Sequence, residues 1–270
     1  MDDALTGRCL CGTVSWQYSG ALTPLAHCHC GVCRKSHGTA FATYMAGDAG
    51  AVTILRGGDS IRTYQSSPGF RRRFCDQCGS VTPGLAGDGH AFMPVANLDQ
   101  GAHRLVAKIH IFVAHKADWY TIADDLRQFD AFPKASGPPT LAHANTVHAD
   151  RCVGGSCACG AVAFEVDAPL ERAQYCHCSR CQKARSGAFA SNGFTGIENI
   201  HFTRGQTHLR SFKLPEARYF TQTFCNTCGA LMPRLDPERG IAVIPFGSFD
   251  TSPALKPTRH IHLNSKLPWI

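Results

Sequence analysis

Residues 27–35 read HCHCGVCRK, which places three cysteines and two histidines within seven consecutive positions. Thiolates packed this closely serve one of two chemistries: they hold a metal ion, or they act as nucleophiles and redox groups. The pattern also repeats. Cys9, Cys11, Cys28, Cys30 and Cys33 recur 148 positions later as Cys157, Cys159, Cys176, Cys178 and Cys181, and Cys75 and Cys78 recur 150 positions later as Cys225 and Cys228. The neighbouring text repeats with them, as in GRCLCGTVSWQY against GSCACGAVAFEV and RFCDQCGS against TFCNTCGA. Fourteen of the 15 cysteines fall in register, so the chain is an internal duplication. Only Cys152 is unmatched; Ala4 stands at its place in the first copy.

The seven cysteines of each copy divide into four and three. In C-x-C on an extended strand, positions i and i+2 face the same side, so Cys9 and Cys11, or Cys157 and Cys159, can share one ion. The C-x-x-C-G turns bring Cys75 to Cys78 and Cys225 to Cys228, with Gly79 and Gly229 free to take a positive φ. Two such pairs make a closed four-thiolate zinc site. We assign Cys9, Cys11, Cys75 and Cys78 to one site and Cys157, Cys159, Cys225 and Cys228 to its copy, although spacing alone does not fix which pairs join.

Cys28, Cys30 and Cys33, with Cys176, Cys178 and Cys181, are left as three-thiolate sets, the pattern of a catalytic or substrate-binding metal with a vacant position. A structural alternative fills that position with a distant histidine, His110 or His260, and a metal-free alternative leaves each trio as buried or redox-active thiols. His29 and His177 should point to the opposite face of an extended segment, and His27 has Tyr175 as its counterpart. All-thiolate sets favour zinc, here up to four ions per chain.

Small, mainly β domains would position these groups. Val14, Trp16 and Tyr18 alternate with polar neighbours, as do Val162, Phe164 and Val166, the period of a half-buried strand. IAVIPF and HIFV read as further strands, Pro245 suggesting an edge or a bulge. No amphipathic helical period persists for three turns. We expect a first domain over 1–131, a linker over 132–151 and a second domain over 152–270. The first copy continues past Trp119 into YTIADDLRQFDAF, expected to form a short packing helix.

Together these residues carry a family resemblance. G-x-C-x-C-G-x-V, then C-H-C-x-x-C-x-K, then F-C-x-x-C-G, and finally H-I with a Trp nine positions on resemble the glutathione-dependent formaldehyde-activating enzymes and their centromere-protein-V-like relatives. The resemblance covers both copies and implies tandem β-tent domains of coiled antiparallel sheets. It implies the same zinc pairing, with C-x-C and C-x-x-C structural and C-H-C-x-x-C at the active site. It further implies a carbon–sulfur lyase run backwards, joining a glutathione-like thiol and an aldehyde. A non-catalytic zinc module that binds a protein partner is the alternative reading.

The formal charge of +7 points at first to an acidic partner. Two four-thiolate zinc sites at −2 and two three-thiolate sites at −1 would bring it to about +1, and aromatics do not alternate with basic residues, so no nucleic-acid partner is expected. Arg71–Arg73 has an uncharged counterpart and reads as a solvated face. Lys35 and Lys183 either attract a substrate carboxylate or are plain surface lysines, and His143 and His148 are linker residues without a role. The absence of a long apolar run, the acidic N-terminus and the many cysteines lead us to expect a cytoplasmic protein off the membrane. The two copies are expected to pack as the halves of a pseudo-homodimer within one chain.

Overall fold

The computed structural model describes residues 4–133 and 152–270, so nearly all of the expected linker, with His143 and His148, lies outside the described residues. Within them the chain is mainly β and contains two short helices, α1 (Gly31–His37) and α2 (Ser179–Arg185), at matching places in the two repeats.

In the first repeat, a four-stranded sheet runs in the order Leu98–Gln100, Leu5–Arg8, Ser15–Tyr18, Val52–Arg56. An eight-stranded sheet follows the order Arg127–Gln128, Ala107–Ile111, Leu25–Cys28, Ala42–Asp48, His90–Pro94, Val81–Ala86, Phe70–Cys75, Ile61–Ser67. The second repeat keeps three strands of the smaller sheet, and its larger sheet is split into five and three. The split has a local cause. In the first repeat the hairpin Ile61–Ser67/Phe70–Cys75 is long enough to pair Phe70 with Ala86 and Arg71 with Leu85. In the second, the hairpin stops at Lys213 and Thr221, around a loop containing Pro215, so Arg234–Asp236 has no such partner.

Alternation places Trp16, Tyr18, Phe164 and Val166 in the core, as their period requires. Pairing is antiparallel apart from the H-I strands: Ala107–Ile111 runs parallel to Leu25–Cys28 and to Arg127–Gln128, and Arg259–Ile261 parallel to Arg172–Cys176. Pro245 closes a strand that lies inside its sheet, not at an edge; as the last residue of the strand it interrupts little of the ladder. The segment after Trp119 is not a helix. Its backbone is tied to a neighbouring strand instead, Phe129 N–H donating to the carbonyl of His110 and Val113 N–H to that of Phe129.

The repeats share one apolar core, in which Leu5, Leu25, Phe41 and Met45 of the first join Phe164, Phe189, Ile244 and Phe246 of the second. Equivalent residues meet themselves across a pseudo-twofold axis: Phe41 against Phe189 at 5.5 Å and Phe74 against Phe224 at 6.2 Å between ring centroids, both edge to face. Edge-to-face pairs contribute about 0.5–1.5 kcal/mol each beyond their buried area. Each repeat also reaches into the other, Trp119 packing on Phe246 and Trp269 on His27. Lys35 and Lys183 are neither surface lysines nor substrate groups. Lys35 Nζ donates to the Ser156 carbonyl at 2.6 Å and to Asp250 Oδ1 at 2.5 Å, while Lys183 Nζ donates to the Asn97 carbonyl at 2.9 Å and to Asp99 Oδ1 at 2.7 Å. The two lysines form reciprocal ties between the halves.

Candidate functional site

All fourteen paired cysteines gather into four clusters: Cys9, Cys11, Cys75 and Cys78; Cys157, Cys159, Cys225 and Cys228; Cys28, Cys30 and Cys33; Cys176, Cys178 and Cys181. Within each, the sulfurs lie within 4.8 Å of one another. The shorter separations are 3.4 Å for Cys9–Cys11 and Cys157–Cys159, 3.6 Å for Cys176–Cys178, 3.7 Å for Cys11–Cys75 and 3.9 Å for Cys159–Cys225. Disulfide sulfurs would be about 2.05 Å apart. Four sulfurs around one zinc at about 2.3 Å are separated by about 3.8 Å, so the donor sets fit a tetrahedral zinc.

The local route to that convergence differs from strand alternation. Cys9 and Cys11 sit on a turn beyond the strand Leu5–Arg8, closed by Gly12 N–H on the Cys9 carbonyl, and Cys157 and Cys159 repeat this turn with Gly160. Cys75 ends a strand, and Gly79 follows Cys78 at φ +74°, with Gly229 at +72° in the second repeat. The trios are built as strand end, helix cap and first turn: Cys28 ends Leu25–Cys28, Cys30 caps α1 with its sulfur accepting from Cys33 N–H at 3.4 Å, and Cys33 lies within α1. Cys176, Cys178 and Cys181 take the same three places on α2, with Cys178 at the cap but without the side-chain cap hydrogen bond.

Such crowding sets the thiols against one another. In the first trio, hydrogen bonds from Cys28 and Cys30 hold Cys33 well below its ordinary pKa, while Cys30 and Cys33 push Cys28 well above. In the second, Cys176 and Cys181 lower Cys178 to about 2 and Cys181 is driven well above its ordinary value by Cys176 and Cys178. A bound dication is what would let every member ionise together. Among the described residues no histidine joins a trio. His110 and His260 instead pair with the histidines between the cysteines, His29 Nε2 lying 2.8 Å from His110 Nδ1 and His177 Nε2 2.9 Å from His260 Nδ1. In the first repeat only, His110 Nε2 donates to Asp124 at 3.0 Å, from the segment after Trp119.

The two trios differ in their surroundings. The first lies at a cavity of about 1110 Å³, and Arg72 reaches into it. Arg72 Nη2 donates to Cys33 Sγ at 3.3 Å, Nη1 to the Tyr44 hydroxyl at 3.4 Å and Nε to Ser66 Oγ at 3.1 Å. Burial works against the guanidinium's charge, but the negative charge of Cys33 beside it outweighs this and raises the Arg72 pKa. Tyr44 is held in turn: His37 Nδ1 donates to the carbonyls of Arg185 and Ser186 at 2.8 and 3.0 Å, which leaves Nε2 to accept from the Tyr44 hydroxyl at 2.5 Å. The second repeat has Gln222, Asn192 and Arg185 in place of Arg72, Tyr44 and His37. Gln222 turns to the interface, donating to the carbonyls of Cys78 and Ala184, and Arg185 donates to Asn192 at 2.9 Å.

Arg72 is therefore not part of a solvated face. The available signal was its position two residues from both Phe70 and Phe74, on the apolar side of the strand. The pairing with Val81–Ala86 shifts register here, Arg71 facing Leu85 and Arg73 facing Thr82, so that two residues of that strand stand opposite Arg72.

Fold and site together define a tandem of cysteine-rich β domains, each with a closed set of four thiols and an open set of three. Residues 4–115 and 152–265 match the family described as glutathione-dependent formaldehyde-activating enzyme. The chain belongs to this family, once with each repeat. A Halomonas elongata protein, provisionally named a glutathione-dependent formaldehyde-activating enzyme, is 30% identical in an alignment 149 residues long that covers 49% of this chain and 90% of that protein. A crystal structure of a Rhodobacter sphaeroides protein aligns with 36% of this chain and 89% of its own at 22% identity, with a TM-score of 0.32.

Proposed function

We propose that the protein is a zinc enzyme of the carbon–sulfur lyase type that joins a thiol to an aldehyde, as in the synthesis of S-(hydroxymethyl)glutathione from glutathione and formaldehyde. Family membership and the Halomonas relative's name support the reaction class. The observation that carries the reading is the first trio, a three-sulfur set at a cavity with a cation turned onto it. On this reading Cys9, Cys11, Cys75 and Cys78, with Cys157, Cys159, Cys225 and Cys228, hold structural zinc. Cys28, Cys30 and Cys33, with Cys176, Cys178 and Cys181, hold the zinc of the open sites, in units spanning 1–131 and 152–270.

Zinc held by three thiolates would supply a coordination position that favours an incoming thiol as its thiolate. The remaining work falls to the protein. Arg72 holds positive charge at the trio, where the addition develops negative charge on the aldehyde oxygen. Tyr44, fixed by His37 and Arg72, presents a hydroxyl oriented from two sides. In the step itself the carbon–sulfur bond forms, the C=O π pair moves to oxygen, and oxygen takes up the proton released by the thiol.

The test is two-dimensional NMR exchange between glutathione, ¹³C-formaldehyde and their adduct, because the uncatalysed addition makes product yield uninformative. Cys30→Ala should abolish the protein's acceleration, and Arg72→Gln, which installs the second repeat's residue, should lower it roughly 10²-fold. Exchange that stays equally fast without Cys30 and Cys178 would refute the reading.

A further inference from the structure

The cavity at the first trio is walled by aromatic rings: Tyr18, Tyr44, Phe70, Phe92, Phe112 and Phe132. They pack in two ring groups. Phe92 links Phe70, at 5.2 Å between centroids, to Tyr44, at 6.4 Å, while Phe112 and Phe132 pack edge to face at 4.8 Å. Phe70, Phe92 and Phe132 remain half-buried, so apolar ring surface is left facing the cavity. That arrangement is characteristic of a site built for an apolar ligand.

The second repeat has lost this wall. In register, Val166, Asn192, Val243 and His262 stand for Tyr18, Tyr44, Phe92 and Phe112, and of these ring positions Phe220, for Phe70, keeps its ring. The cysteine trio is thus duplicated, whereas the aromatic chamber belongs to the first repeat.

The polar groups of the chamber suit glutathione poorly. Glutathione carries two carboxylates and one ammonium group. The basic side chains lining the chamber are Arg72, turned onto Cys33, His90, whose Nδ1 lies 3.1 Å from Asp88, and the exposed Lys108; Asp48 and Asp88 add negative charge nearby. Formaldehyde has no body with which to use six rings.

We propose that the aldehyde taken up here carries an aromatic ring, which lies between the Tyr44–Phe92–Phe70 group and the Phe112–Phe132 group with its carbonyl carbon at the trio. This assignment rests on the thiol–aldehyde reading above and names its substrate class. The product is the hemithioacetal: the thiol sulfur bonds to the carbonyl carbon, the π pair passes to oxygen, and the thiol proton follows it, with no oxidant or reductant consumed.

The experiment compares exchange acceleration for benzaldehyde and formaldehyde with glutathione as thiol, on the zinc-loaded full chain and on Phe92→Val. Saturation-transfer NMR with benzyl alcohol, which cannot react, reads binding separately. The expected result is roughly tenfold greater acceleration for benzaldehyde, a preference that shrinks in Phe92→Val, and saturation transfer to benzyl alcohol that benzaldehyde displaces. Formaldehyde accelerated as strongly as benzaldehyde, with no transfer to benzyl alcohol, would overturn the aromatic assignment and leave the thiol–aldehyde reading standing. Acceleration of neither aldehyde would overturn that reading, and this assignment with it.

Discussion

Gly79→Ala tests the packing of the two repeats at a single carbon. Gly79 has φ +74°, and a Cβ added there would lie 2.6 Å from Cγ and Cδ1 of Phe224, the buried ring that meets Phe74 across the pseudo-axis. Two costs add. Holding alanine in the left-handed region costs about 1–2 kcal/mol, and forcing a methyl group into a filled contact costs about 1–3 kcal/mol. Gly69 provides the control, since it has the same φ of +74° and nothing within 4 Å of its added Cβ. Gly69→Ala should therefore carry only the first cost. At about 2–4 °C per kcal/mol for a chain of this size, Gly79→Ala should melt roughly 2–12 °C below Gly69→Ala in calorimetry at saturating zinc. Gly229→Ala, whose Cβ would lie 2.5 Å from Phe74, should behave like Gly79→Ala. Equal melting of Gly79→Ala and Gly69→Ala would mean that Phe224 does not press on the Cys75–Cys78 turn, and the described contact between the repeats would be wrong.

Three further outcomes are expected. Lys35→Met removes a mostly buried cation that bridges to Ser156 and Asp250 and should cost roughly 1–3 kcal/mol in urea unfolding, whereas Lys108→Met, at an exposed position, should stay within about 0.5 kcal/mol of wild type. Burial tends to raise the Asp124 pKa, but the Leu126 amide and His110 outweigh it and hold the folded value below the unfolded one. The stability this contributes is present at neutral pH and fades as pH falls through the carboxylate range, so Asp124→Asn should lose stability at pH 7, and its difference from wild type should shrink as the pH is lowered through that range. Native mass spectrometry should count up to four zinc ions per chain, and chelation should remove the cooperative melt, because the thiol clusters gather residues up to 71 positions apart.

The sequence revealed most where a local pattern carries the information. Cysteine spacing marked the half-clusters because each lies within a few residues, whereas which halves join depends on the fold, where Cys9 and Cys11 meet Cys75 and Cys78. Alternation found Trp16 and Phe164 because a strand with one wet face must alternate. What was illegible depends on distant partners. Lys35 reads as a surface lysine until Asp250, 215 positions away, is brought against it. Asp124 looks like part of a helical tail until the parallel strand Ala107–Ile111 offers its backbone and His110 its ring. Arg72 was misread because one charged triplet holds residues with different environments, and the register shift of the strand Val81–Ala86 opposite it is invisible to composition.

The pseudo-twofold contact bears on how the chain can evolve. In a true homodimer every residue on the axis faces its own copy, so one gene change alters both sides at once and any substitution must tolerate itself. Here His37 of one repeat rests on the backbone of Arg185 and Ser186 in the other, although Arg185 is its own counterpart. Fusion into one chain has removed the requirement of self-complementarity. One half is free to keep a tyrosine, a histidine and an arginine around its thiols, while in the other Gln222 turns to the Cys78 carbonyl of its neighbour and Arg185 pairs with Asn192.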